Sequence, residues 1–228
     1  MKRCFIVALC ALLCFVVGCG GTGLFSSAPE PTPTPKPTPE PSSASEPAPA
    51  PKADEPVPDT ITGTIEMKDG GVMTFELYPA LAPQSVQNFV YLARQGFYDG
   101  LTFHRIADLT NKDDYIIQGG CPLGSGTGNP GYSIVGEFEQ NGHPNNLSHN
   151  RGVLSMARAQ DFDSAGSQFF ICVGNPVFLD GGYAGFGMIT SGMEVADSIV
   201  ESPNVQPVIK TISIDGNFAF PEPDKLPR

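Results

Sequence analysis

The chain reads as a mainly β protein, a closed eight-stranded antiparallel β-barrel capped by two α-helices. Three observations carry that expectation. Eight short runs rich in β-branched and aromatic residues recur between turn residues. Two segments alone repeat their apolar residues with a helical period. Frequent turn glycines separate the runs, a pattern of many strands with short connections.

The elements follow in order. Ile61–Met67 and Val72–Leu77 alternate apolar and polar residues across Lys68-Asp69-Gly70-Gly71, a hairpin signature. Ala82–Gln95 is the first helix, because Val86, Phe89, Val90 and Ala93 sit at i, i+3, i+4 and i+7. Pro83 suits its entrance, Ser85 is a candidate cap and Gly96 marks its exit. Thr102–Ile106 and Tyr115–Gln118 are strands joined by a polar loop, Asp108–Asp114. Val153–Ala157, Gln168–Val173 and Phe186–Ile189 supply three more. Gly192–Glu201 places Met193, Ala196, Ile199 and Val200 at helical spacing, and the alternating Val208–Ile214 closes the set. A barrel of about 155 residues buries enough surface to be stable alone.

What flanks this region has a different composition. Residues 1–19 read as a targeting segment: Lys2 and Arg3 are followed by the apolar run Phe5–Val17, too short for a span that takes about 20 apolar residues. Gly18 directly before Cys19 resembles a bacterial lipobox, in which the cysteine is acylated and becomes the new N-terminus. An ordinary secretory signal is the alternative. Residues 20–59 hold twelve of the 23 prolines; such a stretch cannot build a core. Alternating prolines favour extended polyproline II, at about 3.1 Å per residue, which suits a spacer. A proline-rich ligand for another protein is the other use. Residues 60–216 then form the globular domain, and 217–228 a C-terminal tail.

Composition excludes several functions. With 24 acidic against 13 basic residues, and no cluster of Lys or Arg, nucleic acid is an unsuitable partner. His104, His143 and His149 lack metal-ligand spacing, so no metal is expected. Ser155 and Ser167 lack a nucleophile elbow, which disfavours hydrolysis. Gly119–Gly131 is glycine-rich but has no Lys-Ser/Thr pair for a phosphate loop. Of the six cysteines, only Cys121 and Cys172 lie in the globular domain; an exported protein could pair them if their Cα atoms came within about 7 Å, but buried free thiols are the expected case. No cofactor is implied.

One constellation remains. Arg105 stands in apolar company, Phe103-His104-Arg105-Ile106, and Gln118 ends the next strand before two glycines. A charged fork of donors beside an amide, framed by aromatics, suits an uncharged, amide-containing ligand such as a peptide. Equally, Arg105 could pair with a surface carboxylate.

The motifs FHRI…YIIQGG, GVLSMARA (Gly152–Ala159), SQFF (Ser167–Phe170) and FLDGGYAGFG (Phe178–Gly187), followed by a final apolar strand, resemble the cyclophilin family of peptidyl-prolyl isomerases. They come in the family's order and cover about residues 60 to 216. The resemblance implies the family's barrel, and catalysis by Arg105, Gln118 and Phe170. It implies an apolar pocket for the proline ring from Tyr115, Ile116, Phe170 and Leu179, with Phe178 and Tyr183 as further lining. Ala157, Arg158 and Ala159 match the edge that pairs with an extended peptide. Gly126, in Gly126-Thr127-Gly128, and Gln168 also match substrate-binding positions. Phe178 stands where the best-known eukaryotic pattern has tryptophan, Tyr183 where it has histidine and Arg158 where it has asparagine. Loss of the indole donor implies weakened cyclosporin binding. The Asp108–Asp114 loop is longer than usual, either a surface insertion or a substrate-selecting lip.

The expected function is therefore an isomerase acting on proline-containing segments of unfolded or exported proteins. It is expected to be a monomer, held to the cell membrane by lipid on Cys19 with its domain on the extracytoplasmic side. A non-catalytic peptide-binding chaperone and a structural envelope protein are the rival readings. Retention of Arg105, Gln118 and Phe170 together favours the enzyme.

Overall fold

The computed structural model describes residues 57–203 and 205–227. The targeting segment, Cys19 and the linker as far as residue 56 lie outside the described residues. The hairpin comes first: β1 (Ile61–Met67) and β2 (Val72–Leu77) pair antiparallel, and their inward residues are buried at every second position. That alternation is the period-2 pattern that half-buried strands impose. Helix α1 (Pro83–Arg94) follows, with proline in its first turn. Then come β3 (Arg105–Asp108), β4 (Tyr115–Gly119), β5 (Val153–Met156), β6 (Phe169–Cys172) and β7 (Gly185–Ser191), helix α2 (Met193–Glu201) and β8 (Ile209–Ile214).

All eight strands belong to one antiparallel sheet in the order β3-β4-β6-β5-β7-β2-β1-β8. The expected closed barrel is corrected here: the sheet is an open half-barrel, with β3 and β8 as its two margins. The reason lies in residues 101–103 and 207–209. Ile209 N donates to Leu101 O at 2.8 Å, and Phe103 N donates to Pro207 O at 3.0 Å. Pro207 has no N–H to return, so the pairing cannot propagate as a ladder. A single isolated bridge, Thr102 with Val208, joins the margins. The expected strand Thr102–Ile106 is accordingly divided. Its first half lies against the 207–209 segment, and β3 begins only at Arg105.

Phe89 of α1 is the hub of the core. Its ring lies 5.3 Å from those of Tyr98, Phe169 and Phe186 and 5.8 Å from Phe75, centroid to centroid. Edge-to-face and tilted pairs at these distances are the favoured aromatic arrangements. The helix stripe Val86, Phe89, Val90 and Ala93 is buried as the spacing predicts. Ser85, expected as the cap, is not one. Ala82 holds the cap position, and the free helix N–H groups are satisfied from elsewhere: Glu137 accepts from Gln84 N at 2.8 Å and from Ser85 N and Ser85 Oγ at 2.7 Å. A carboxylate at a helix N-terminus also meets the favourable end of the macrodipole.

Beyond residue 216 the chain is docked onto the domain. Phe218 is buried, with the Arg94 guanidinium 4.5 Å over its ring. Leu226 and Ser133 exchange both backbone hydrogen bonds, at 2.8 and 3.0 Å. Among the described residues no helix is long and apolar enough to cross a membrane.

Candidate active site

Register brings the two polar side chains together. Arg105 lies opposite Gln118 in the β3–β4 ladder, and directly opposed residues project from the same face. Arg105 Nη1 donates to Gln118 Oε1 at 3.1 Å. Gln118 Nε2 donates to Gln168 Oε1 at 2.9 Å, and Gln168 Nε2 donates to the carbonyls of Gly126 and Gly128, both at 2.8 Å. Each amide therefore has one acceptor and one donor committed, which fixes its orientation. No ion pair among the described residues involves Arg105. The alternative in which it serves a surface carboxylate is not what the structure shows.

Beside this row lies a cavity of about 290 Å³, lined by Arg105, Gln118, Ile116, Phe170, Leu179 and Tyr183, with Ala157, Arg158 and Phe178 also on its wall. Phe170 is 3% exposed and meets the Tyr183 ring edge-on at 5.9 Å, whereas Phe178 is 57% exposed. Leu109, the first residue after β3, adds to the lining, so the inserted loop does reach the site. A second cavity of about 230 Å³ shares Gln118, Ala157 and Arg158 and adds Gly126, Ala159 and Gln168. Every catalytic or substrate-binding residue expected from the sequence lines one or both cavities except Tyr115. Its half-buried ring packs against the main core.

Arg158 is held between the two cavities. Its Nε and Nη2 donate to Gly182 O at 2.9 and 2.8 Å. The guanidinium carbon lies 4.6 Å from the Tyr183 ring centroid and 5.0 Å from those of Phe138 and Phe162, within cation–π range.

Behind Phe170 lies a group that sequence reasoning did not assemble. His149 is fully buried, its ring lying near parallel to that of Phe170 at 6.0 Å. Its Nδ1 is 2.8 Å from Asp180 Oδ1, which can only accept, so the proton sits on Nδ1. Nε2 then accepts from Ser155 Oγ at 3.0 Å. Burial pushes the His149 pKa below 6.5 despite the neighbouring carboxylate. The order Ser, His, Asp invites comparison with a hydrolase, but Ser155 has no exposed surface and cannot meet a substrate. Ser155 is instead the cross-strand partner of Phe170. Asp180 and Ser155 lay inside recognised motifs, whereas His149 lay outside them; no local signal linked the three.

Cys121 and Cys172 are free and buried. Cys121 Sγ accepts from Gly126 N and Gly128 N, both at 3.2 Å, anchoring the glycine loop. Among the described residues no three His, Cys, Asp or Glu side chains gather as a metal-binding group.

Residues 62–216 match the family model described as cyclophilin type peptidyl-prolyl cis-trans isomerase/CLD. The chain belongs to this family and is an isomerase of the EC 5.2.1.8 class. Peptidyl-prolyl cis-trans isomerase B of Bacillus subtilis is 44% identical over 155 residues, 68% of this chain and 99% of that protein. A peptidyl-prolyl cis-trans isomerase of Helicobacter pylori is 42% identical over 163 residues, 71% of this chain and 93% of its own. The crystal structure of a Cryptosporidium parvum cyclophilin type peptidyl-prolyl cis-trans isomerase is similar with a TM-score of 0.60 at 31% identity, covering 69% of this chain and 99% of that one. A structure of the same protein in the presence of the dipeptide Ala-Pro has a TM-score of 0.59 at 32% identity, covering 68% and 99%.

Proposed function

We propose that this chain accelerates rotation about X–Pro bonds with Arg105 as the principal catalytic group. The observation that carries the reading is Arg105, oriented by Gln118, on the wall of a cavity it shares with Ile116, Phe170, Leu179 and Tyr183. Rotation of an X–Pro amide faces a barrier of about 18–20 kcal/mol, because resonance resists twisting. No covalent bond forms or breaks. At the twisted state the nitrogen is pyramidal and has regained its lone pair, and a guanidinium N–H aimed at it binds that state better than either planar isomer. Ile116, Phe170, Leu179 and Tyr183 enclose the proline ring. Ala157–Ala159 form the bank along which an extended peptide lies by strand addition. Bringing the half-time to milliseconds takes about 10⁵-fold, or about 7 kcal/mol. One donor supplies about 3–4 kcal/mol of that; restraining the proline side while the other end turns supplies the remainder.

Measured on an Ala-Pro peptide, the protein should catalyse isomerisation. Arg105→Ala should lower kcat/KM by at least about 100-fold, with folding unchanged because Arg105 is exposed. A folded protein that binds proline peptides without accelerating isomerisation would leave a chaperone in place of the enzyme.

The substrates we propose are proline segments of exported, unfolded chains, whose X–Pro bonds limit refolding. The support is the sequence alone: the targeting segment, Gly18-Cys19 and the proline-rich spacer. A lipid on Cys19 would hold the domain at the outer face of the cell membrane by acyl-chain burial, about 0.8 kcal/mol per CH₂. Cys19→Ser should abolish labelling by fatty acid and release the protein from the membrane fraction. Retention of label in that variant would sink the anchor.

A further inference from the structure

We propose that Arg158 is a specificity-determining residue, selecting proline segments that carry a carboxylate side chain within two residues of the proline. The inference rests on the isomerase reading above and names the substrate class for the same site.

Arg158 lines both cavities and so stands where a peptide seated in one continues into the other. Its position is held rather than swept. Two of its N–H groups bind Gly182 O, Nη1 donates to Ala159 O at 2.9 Å, and three aromatic rings pack around the guanidinium. These carbonyls and rings orient the cation without neutralising it.

Charge is distributed unevenly about the site. The whole chain carries 24 acidic and 13 basic residues, yet no Asp or Glu lines either cavity, and Arg105 and Arg158 do. The carboxylates nearest in sequence serve other donors. Asp161 accepts from Asp163 N, and Asp163 from Gly136 N and Asn141 Nδ2. Asp180 takes Ser148 Oγ and His149, and Asp108 takes Thr110 N and Asp113 N. Neither Arg105 nor Arg158 has an ion-pair partner among the described residues, and two such cations in clefts with low-dielectric walls focus a positive potential against an acidic exterior. A cation some 6 Å from a peptide carboxylate in a partly screened cleft gives about a three- to tenfold preference. Arg105 serves the amide of every substrate; Arg158, beside the second cavity, is placed to read a neighbour.

Alanine-based peptides around one proline, with Glu, Gln or Lys scanned through the two positions on either side, test this. Exchange rates and dissociation constants are measured together by NMR titration. At one or more positions Glu should exceed Lys by about three- to tenfold in kcat/KM. The ratio should survive Arg158→Lys, fall to about one in Arg158→Gln, and shrink in the unaltered protein as salt is raised. Equal handling of Glu, Gln and Lys at all positions would overturn the proposal, as would a ratio that persists in Arg158→Gln or ignores salt. The salt arm decides if Arg158→Gln does not fold. If no peptide is turned over but Glu peptides bind tighter in an Arg158-dependent way, the isomerase reading fails and the specificity stands.

Discussion

Arg105 and Gln118 are direct partners across the β3–β4 ladder, and the same register that pairs their backbones joins their side chains at 3.1 Å. A slip of one residue would turn one of them to the opposite face, so the site is specified by the hydrogen-bond ladder itself. Gln118→Ala removes the acceptor that orients the guanidinium and breaks the row to Gln168. We expect kcat/KM to fall about tenfold, the worth of one hydrogen bond to a charged group, with little loss of stability. Activity within twofold of the unaltered protein would mean that Arg105 orients itself.

His149 predicts an acid-sensitive fold. Burial holds its pKa below 6.5, so the folded protein keeps a neutral ring, whereas the unfolded chain binds a proton near pH 6.5. Its contribution is complete above that pH and is lost as pH falls towards the depressed folded value, with a limiting slope of about 1.4 kcal/mol per pH unit. Asp180 acts in the same direction lower down. Burial raises its pKa, but hydrogen bonds from His149 and Ser148 outweigh this and lower it; its stabilisation is lost as pH drops through that folded value. Urea midpoints measured from pH 7.5 to pH 5 should decline below about 6.5, and His149→Gln should flatten that decline.

Glu137 carries the N-terminus of α1 from 52 residues away. Glu137→Gln places an amide where three donors converge and should cost about 2–3 kcal/mol. Thermal unfolding should show a fall of several degrees. A smaller change than that of Ser85→Ala would place the cap elsewhere.

A chain ending at Gly216 should be less stable by about 2–4 kcal/mol, since it loses the burial of Phe218 and the cation–π contacts of Arg94 and Lys225. Denaturant midpoints of the two lengths measure this directly. Equal midpoints would show that the docked tail adds nothing.

The sequence revealed local features well and distant ones poorly. The alternation in Ile61–Met67 and the stripe from Val86 to Ala93 are written in adjacent residues, and both elements are present. Thr102–Ile106 reads as one strand because its composition is uniform; only the position of Pro207, about a hundred residues on, shows that the run divides. The same proline leaves the sheet open where strand count alone suggested closure. The residues that motif order implied for the peptide site line the two cavities apart from Tyr115, whose ring packs on the main core. His149 with Asp180 and Ser155, and Glu137 with Ser85, were illegible because each joins side chains from separate segments. Ser85 has the composition of a cap and serves Glu137 instead.

The open margin has a mechanical meaning. Phe170 sits on β6, flanked by β4 and β5, while Arg105 sits on β3, which has one ladder neighbour and four residues. Edge elements with few hydrogen bonds exchange their amides by local opening, at lower free energy than interior strands. The floor of the site is thus anchored on both sides, and the wall bearing its cation is hinged on one. On the rotation mechanism proposed above, that wall is the part expected to yield, while the proline seat beneath it stays in place.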